Sequence, residues 1–508
     1  MAQRTAKKRL YLIGIDAAPL WLLKELEGME GMEPFKKLID SGRLGDLESV
    51  LPPMTGSAWP TIYTGLHPGE HGTPDFFVIK RDYVKDIVYY DSKAYPPFWK
   101  EFAEEGLKSL VITPATNIML PDDYDVDIIT GFPLRSRASS EKLRSLMKKC
   151  GFDGEPEIEK DMSEGRISFA EASKIYVKSV EKRSSIAKEL IEKGDYDFVY
   201  VCFTETDRIQ HFTLGRKERW EYILPVYVEI AKFVGYIEKR VETEDALMVI
   251  VSDHGAQPIS EKFLLNAWLI KKGYLALKES VQKSISGKAP SGQSLYKVRE
   301  RLMRSGLRKT YDKMPYAIKR ATNKIVGSVL SKASPGEYTR LHLFDFDMKK
   351  TKAFAEVSNG PFAMLWINDR RFATPAVTES EKQRLIEEIK KGLSQERAGG
   401  KRIIAGFRDG EEYYGGTDKF IYPDLFIEAE RGYTIDIFNY SPNTLLMAPE
   451  HAKSGDHIRN GIIGYYSNSA RLSISGATVF DVAPTLLGYF GIKPAARGRN
   501  LLQDNIFS

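Results

Sequence analysis

The chain has 508 residues, 42% hydrophobic and 28% charged, with a formal net charge of +5. That is a globular composition, long enough for a large core and one or more insertions. Two cysteines, Cys150 and Cys202, support neither a disulfide framework nor a cysteine zinc site. No apolar run approaches the ~20 residues of a spanning helix. Charged residues also interrupt the N-terminal apolar run before it could act as a signal segment. A soluble, cytoplasmic protein is the expectation.

In chain order, the first predicted strand is "RLYLIGI", which runs into Asp16. The stretch "LPPMTGSAWPTIYTGLHPGEHG" then places Thr55 and Ser57 between a Pro-Pro turn and a predicted helix. A hydroxyl there caps a helix by default, and either becomes a candidate nucleophile only if something activates it. "KSLVIT" is a second strand, and "FAEASKIYVKSVEKRSSIAKELIEKG" is an amphipathic helix that stops at Gly194. "YDFVYVCF" and "ALMVIVS" are further strands, each followed by an acidic motif. Short apolar strands separated by amphipathic helices predict an α/β fold, with a doubly wound, mostly parallel sheet and helices on both faces.

Lys278 to Arg340 holds fifteen Lys or Arg against four acidic residues, a local net of +11. Its Leu, Met, Ile and Val recur at helical spacing, and "SGKAPSGQS" and "SPGEY" bound it. The expected organisation is residues 8–274 as the first part of a core, 275–345 as a basic helical cap, and 346–508 as the remainder of the core. The cap is either a solvated face or a surface for anionic substrates or membrane.

Three predicted strands end at or near an aspartate: Asp16, Asp207 and Asp253. In an open parallel sheet, ligands bind beyond the carboxyl ends of the strands, so these carboxylates are expected on one edge. "TETDRIQHF" sets Asp207 four residues before His211, on one helical face. "VSDHGAQP" sets Asp253 beside His254, with Gly255 supplying a tight turn. "SGDHIRNGIIGYY" offers His457 in another glycine-flanked loop. Mixed imidazole and carboxylate ligands suit zinc, and also manganese or iron. His67, His71, His342 and His451 are given structural roles.

Taken in order, the strand ending in Asp16, "TGSAWPTIYTGLHPGEHG", Asp207 with His211, "SDHG" and "GDHIRNGI" make the chain resemble the type I phosphodiesterase/nucleotide pyrophosphatase family of the alkaline phosphatase superfamily. The likeness continues through "AMLWINDRR", "YPDLFIEAERGY" and "FDVAPTLLGYFGI", leaving out the basic region. It implies an alkaline-phosphatase-like fold and two divalent metal ions, zinc by preference and manganese as an alternative. Asp16, Asp253 and His254 would hold one ion, and Asp207, His211 and His457 the other. Family nucleophiles precede a Thr-Gly pair by nine residues, and counting back from Thr64 reaches Thr55. Thr55 is then the nucleophile and a metal contact, Ser57 the helix cap, and Trp59 either core or an apolar wall for substrate.

The activity implied is cleavage of phosphodiester or phosphoanhydride bonds through a phosphothreonine. Phosphomonoesterase, phosphonate hydrolase and phosphoglycerate mutase-like chemistry are the alternatives within the superfamily. A sulfatase would need a Cys- or Ser-x-Pro-x-Arg motif, which "MTGSAWP" lacks. A non-catalytic anion- or lipid-binding protein is the reading from another class. The expected partner is a phosphorylated small molecule or lipid head group, with peripheral membrane contact through the basic cap and no specific nucleic acid.

Overall fold

The structure is a computed structural model that describes residues 7–116, 118–133, 135–285, 339–449, 453–493 and 497–503. Its centre is an eight-stranded sheet: β1 (Arg9–Ile15), β2 (Leu44–Glu48), β3 (Ser109–Ile112), β4 (Asp127–Ile129), β5 (Phe198–Phe203), β6 (Ala246–Val251), β7 (Asn460–Ser467) and β8 (Ala477–Thr478). The spatial order is β8-β2-β7-β6-β1-β5-β3-β4. All run parallel except β7, which is antiparallel to both neighbours, β2 and β6.

The continuous apolar runs have a simple cause. Successive side chains in a strand point to opposite faces, and here both faces are covered. Leu10 sits opposite Phe198 and Leu247 on one face, and Tyr11 opposite Val199 and Met248 on the other. The first three join one buried cluster and the second three another. A strand buried on both sides has no polar face to alternate.

Five helices matter for the site: α1 (Thr55–Thr64), α2 (Phe169–Lys193), α3 (Glu205–Thr213), α4 (Arg219–Thr243) and α5 (Val482–Tyr489). Helices α1 and α5 bury Trp59, Ile62, Val482 and Leu486 on the Leu10 face. Helices α2 and α4 bury Tyr176, Val180, Ile230 and Val234 on the Tyr11 face. The predicted stop of α2 holds, with Gly194 N–H donating to Leu190 O at 2.8 Å. Gly14 in β1 is required by close approach, because a Cβ there would meet the Trp59 ring at 2.7 Å.

Between β6 and β7 the chain builds a second lobe. Strands Ala353–Asn359, Phe362–Ile367, Leu425–Ala429 and Ile404–Asp409 form an antiparallel sheet in that order. Helix Glu379–Ser394 packs Ile386 and Ile389 onto it, in a cluster with Leu365 and Ile427. Residues 346–508 are therefore two pieces: a lobe with its own core, then the return to the central sheet at β7. Of the expected cap, residues 286–338 lie outside the described residues. Its flanks, Leu277, Val281 and Leu341, pack into the second lobe's core.

Candidate metal centre

Strands β6, β1 and β5 are adjacent, so their carboxyl ends form one edge. Asp16 directly follows β1, Asp253 comes two residues after β6, and Asp207 is the third residue of α3, which starts just past β5. The edge is tied by backbone groups. Asp16 N–H donates to Phe203 O at 2.9 Å, Thr206 Oγ1 donates to Asp16 O at 2.5 Å, and Ala18 N–H donates to Ser252 Oγ at 2.8 Å. His457 enters on strand Gly455–Ile458, which pairs antiparallel with Gly255–Pro258 next to His254. Gly255 serves this pairing and not the tight turn expected of it: its φ is not positive, and a Cβ would lie 2.1 Å from Asn460 O.

All the sequence-derived ligand candidates meet here. His211 Nε2 and His457 Nε2 lie 3.2 and 3.1 Å from Asp207 Oδ1, and 3.0 Å from each other. His254 Nε2 lies 3.3 Å from Asp253 Oδ2 and 3.6 Å from Asp16 Oδ1. The His254 and His457 rings stack with centroids 3.8 Å apart. Two ligand-atom groups result: Asp207, His211 and His457, and Asp16, Asp207 and His254. Asp207 reaches both, whereas the resemblance implied that it served one.

The imidazole tautomers follow from the second ring nitrogens. His211 Nδ1 faces Gly455 O at 3.1 Å, His254 Nδ1 faces Gly255 O at 3.1 Å, and His457 Nδ1 faces Pro53 O at 3.0 Å. A carbonyl only accepts, so each Nδ1–H donates, and in the neutral ring each Nε2 presents a lone pair inward. Acceptors thus crowd together, and the side-chain donors that reach them are Thr55 Oγ1 at His254 Nε2 and Trp59 Nε1 at Asp16 Oδ2. Asp16 Oδ1 and Asp253 Oδ2 are buried without any hydrogen-bond partner. Buried acceptors of this kind are costly unless a cation joins them, and the residues fit divalent ions with nitrogen and oxygen ligands.

The electrostatics agree. Burial, and then Asp253 and Asp207, push the Asp16 carboxyl well above the usual carboxylate range. Burial and Asp207 do the same to Asp253. Burial and then His457 hold His254 well below the usual imidazole range, hence neutral. At Asp207 burial acts upward, but positive charge on His211 and His457 outweighs it and keeps the carboxyl well below its usual range. Asp207 in turn raises His211 against its own burial, so this cluster attracts a positive charge, whether a proton or a metal ion.

Thr55 opens α1, with Met54 extended as the residue before it. Its Oγ1 lies 3.3 Å from His254 Nε2, and because Nδ1 of that ring is protonated, the hydroxyl donates. Ser57 is not the cap. It is the third helical residue, its Oγ donates back to Met54 O at 3.2 Å, and Pro60 falls inside the helix. The helix begins three residues earlier than expected, with Met54 and not Ser57 as the residue before it, because Met54 O already accepts from Ser57 N and Ala58 N, at 3.0 and 2.8 Å. Trp59 is fully buried and its Nε1 donates to Asp16 Oδ2 at 3.4 Å. It supports the ligand from below and cannot wall the substrate.

Three of the other histidines are structural. His67 caps helix Pro68–His71 through Gly69 N, His71 contacts Thr61 Oγ1 at 3.1 Å, and His342 belongs to a capping box with Asp345. His451 lies outside the described residues.

Sequence reasoning missed the Arg183 cluster. This fully buried side chain of α2 donates to both Glu205 oxygens at 2.9 Å, to Glu155 at 3.2 Å and to Cys202 O at 2.8 Å. Glu205 begins the helix that carries Asp207 and His211, so the cluster fixes where that helix starts. Asp456 was missed too. It accepts from Thr434 Oγ1 at 3.0 Å and from its neighbour's N–H at 3.0 Å, which holds the His457 backbone.

Solved structures share this architecture. Phosphonoacetate hydrolase from Sinorhizobium meliloti 1021, in complex with phosphonoacetate, is 12% identical and matches over 94% of each chain at a TM-score of 0.55. Its complex with phosphonoformate matches at 13% identity, 94% of each chain and a TM-score of 0.53. Murine ectonucleotide pyrophosphatase/phosphodiesterase 5 is 14% identical over 97% of this chain and 100% of its own, at a TM-score of 0.43. No curated protein matches. The expected alkaline-phosphatase-like α/β fold is the one observed. The family model for type I phosphodiesterase/nucleotide pyrophosphatase matches residues 10–457, and the chain belongs to that family.

Proposed function

We propose that this chain hydrolyses phosphoric esters, with diesters or anhydrides as substrates, and that Thr55 Oγ1 is the atom that attacks phosphorus. The observation that carries the reading is the placement of that hydroxyl against His254 Nε2, beside five further inward-facing ligand side chains. Two divalent cations held by Asp16, Asp253, His254, Asp207, His211 and His457 would supply the positive charge that favours the alkoxide and neutralises phosphoryl oxygens. The imidazole and carboxylate donor set favours zinc, then manganese.

The chain's own part is orientation. Thr55 stands at the first position of α1, where free backbone N–H groups face an approaching anion. Its Oγ1 lies 3.3 Å from Nε2 of His254, the ring atom that would hold a cation, so a cation taken by that lone pair would have the Thr55 oxygen close by, and the ring itself is fixed by the Nδ1–H bond to Gly255 O. In the first half-reaction the Thr55 Oγ1–P bond forms, the bond from phosphorus to the leaving oxygen breaks, and the alcohol or phosphate departs. Water then cleaves the phosphothreonine, returning the hydroxyl and releasing the monoester.

The test is hydrolysis of a chromogenic diester by purified protein, run beside a monoester, a phosphonate and a sulfate ester. Diester turnover lost on chelation and restored by zinc or manganese supports the reading. Preferential turnover of the monoester or the phosphonate would transfer it to the other chemistries of the superfamily.

A further inference from the structure

The second lobe reaches the start of α1 through one short segment. Leu51 lies four residues before Thr55, yet it is buried in the same apolar cluster as Leu365 and Ile427 of the second lobe. Both of its backbone groups are bound by tyrosines of helix Gly410–Tyr414, which joins strands Ile404–Asp409 and Leu425–Ala429 of that lobe. Leu51 N–H donates to Tyr413 Oη at 2.6 Å, and Tyr414 Oη donates to Leu51 O at 3.4 Å. Pro52 and Pro53 follow and carry no N–H, so they add no amide with which the segment could hold itself.

The tyrosines are held in turn. Asp409 caps their helix by accepting from Glu412 N at 2.9 Å, and the Tyr413 ring meets Phe426 edge-on with centroids 5.3 Å apart. The same ring meets His67 edge-on at 4.5 Å, and His67 comes three residues after α1 ends. Tyr413 therefore touches the chain at both ends of the helix that Thr55 opens.

The bound segment carries two groups of the site. Pro53 O accepts from His457 Nδ1 at 3.0 Å, and Met54 O closes the first turn of α1. The acceptor on the outer nitrogen of a ligating imidazole fixes the ring's orientation as well as its tautomer. A shift of Leu51 would thus carry both Pro53 O and the start of α1 with it.

We propose that Tyr413 is a positioning residue: by binding Leu51 N–H it sets Pro53 O against His457 and Thr55 at the start of α1. The second lobe then governs one metal ligand and the nucleophile together. The inference rests on metal binding at His457 and attack by Thr55, and it adds a residue that touches neither ion nor substrate. Without the phenol oxygen, Leu51 N–H loses this acceptor in a buried place, and the segment moves to regain one.

The experiment compares Tyr413→Phe with Tyr83→Phe in the metal-loaded full chain. Tyr83 is the control because its hydroxyl also bonds into the second lobe, to Asn368 Oδ1 at 2.8 Å and Thr374 O at 3.0 Å, instead of to Leu51. Zinc affinity is read by chelator competition, and kcat and KM with a chromogenic diester. Tyr413→Phe is expected to weaken one of the two ions roughly tenfold and to lower kcat several-fold with KM nearly unchanged. Amide exchange in the peptide spanning residues 49–55 should quicken. Tyr83→Phe should change none of these, even where its unfolding midpoint falls as far. In a His457→Ala background, adding Tyr413→Phe should leave the remaining ion's affinity within about twofold. Unchanged zinc affinity and kcat in Tyr413→Phe would overturn the inference and spare the hydrolase reading. Equal losses in Tyr83→Phe, or a loss that persists in His457→Ala, would also overturn it and leave Tyr413 a part of the lobe's stability alone. A parent chain that binds no zinc and turns over no ester would sink both readings together.

Discussion

The hydroxyl of Thr55 donates to Nε2 of His254 at 3.3 Å, while Ser57, two residues on, turns its hydroxyl back to Met54 O at 3.2 Å. Adjacent hydroxyls on one helix therefore have opposite assignments. Thr55→Ala should lower turnover by roughly 10³-fold or more, with the unfolding midpoint and metal content nearly unchanged. Ser57→Ala should stay within a few-fold of the parent. Steady-state kinetics with a chromogenic diester compares them, and a dead Ser57→Ala beside an active Thr55→Ala would reverse the assignment.

Each ligand cluster should fail separately. Asp253→Asn removes the partnerless Oδ2 facing His254 Nε2, and His457→Ala removes the Nε2 shared with Asp207 and His211. Metal per chain, measured after dialysis, should fall toward one in either variant. Because Asp207 reaches both groups, Asp207→Asn should cost both ions. Loss of a single ion from Asp207→Asn would return that residue to one site.

Arg183→Met should be severe for a buried position far from solvent. It strands Glu205 and Glu155 without their guanidinium, a loss on the order of 3–5 kcal/mol. Chemical denaturation reads that loss. Since Glu205 opens the helix of Asp207 and His211, metal affinity should fall as well, and unchanged affinity would show that the helix start needs no such anchor.

How much of this was legible in the sequence depends on what each signal encodes. The runs of β1, β5 and β6 could be read because burial on both faces leaves no polar positions, and the aspartates beyond them mark strand ends. Thr55 against Ser57 needed more than local pattern, since either hydroxyl suits a helix start, and the actual start at Thr55 depends on where Met54 O points. Trp59 could be core or wall until Gly14 was seen to admit its ring against β1. Arg183 was invisible because a charge in an amphipathic helix looks solvated, and its burial depends on Glu155 and Glu205 from elsewhere in the chain. The second lobe was hidden for a similar reason: its strands pair antiparallel across a helix, and nothing local says that they leave the central sheet.

Away from the site, Glu356 should set a pH dependence of stability. Burial raises its carboxyl from the usual 4.5 to about 7, with Lys85 opposing only in part. The folded state then binds this proton more tightly than the unfolded one. Its contribution is fully present below pH 4.5 and is lost as pH rises toward 7, by at most roughly 3 kcal/mol. Glu356→Gln, which keeps the neutral shape, should match the parent at pH 4 and exceed it at pH 8 in urea midpoint. Equal midpoints at both pH values would contradict this.

The central claim is that Thr55 becomes covalently bound to phosphorus during turnover. The direct measurement is acid quench of the metal-loaded protein during steady-state hydrolysis of a chromogenic diester, followed by peptide mass spectrometry. The account predicts the substrate's phosphoryl group on the peptide containing Thr55, localised by fragmentation to that residue and absent from Thr55→Ala. Phosphoryl found on Ser57, or rapid turnover with no adduct and inversion at a chiral phosphorus, would contradict it.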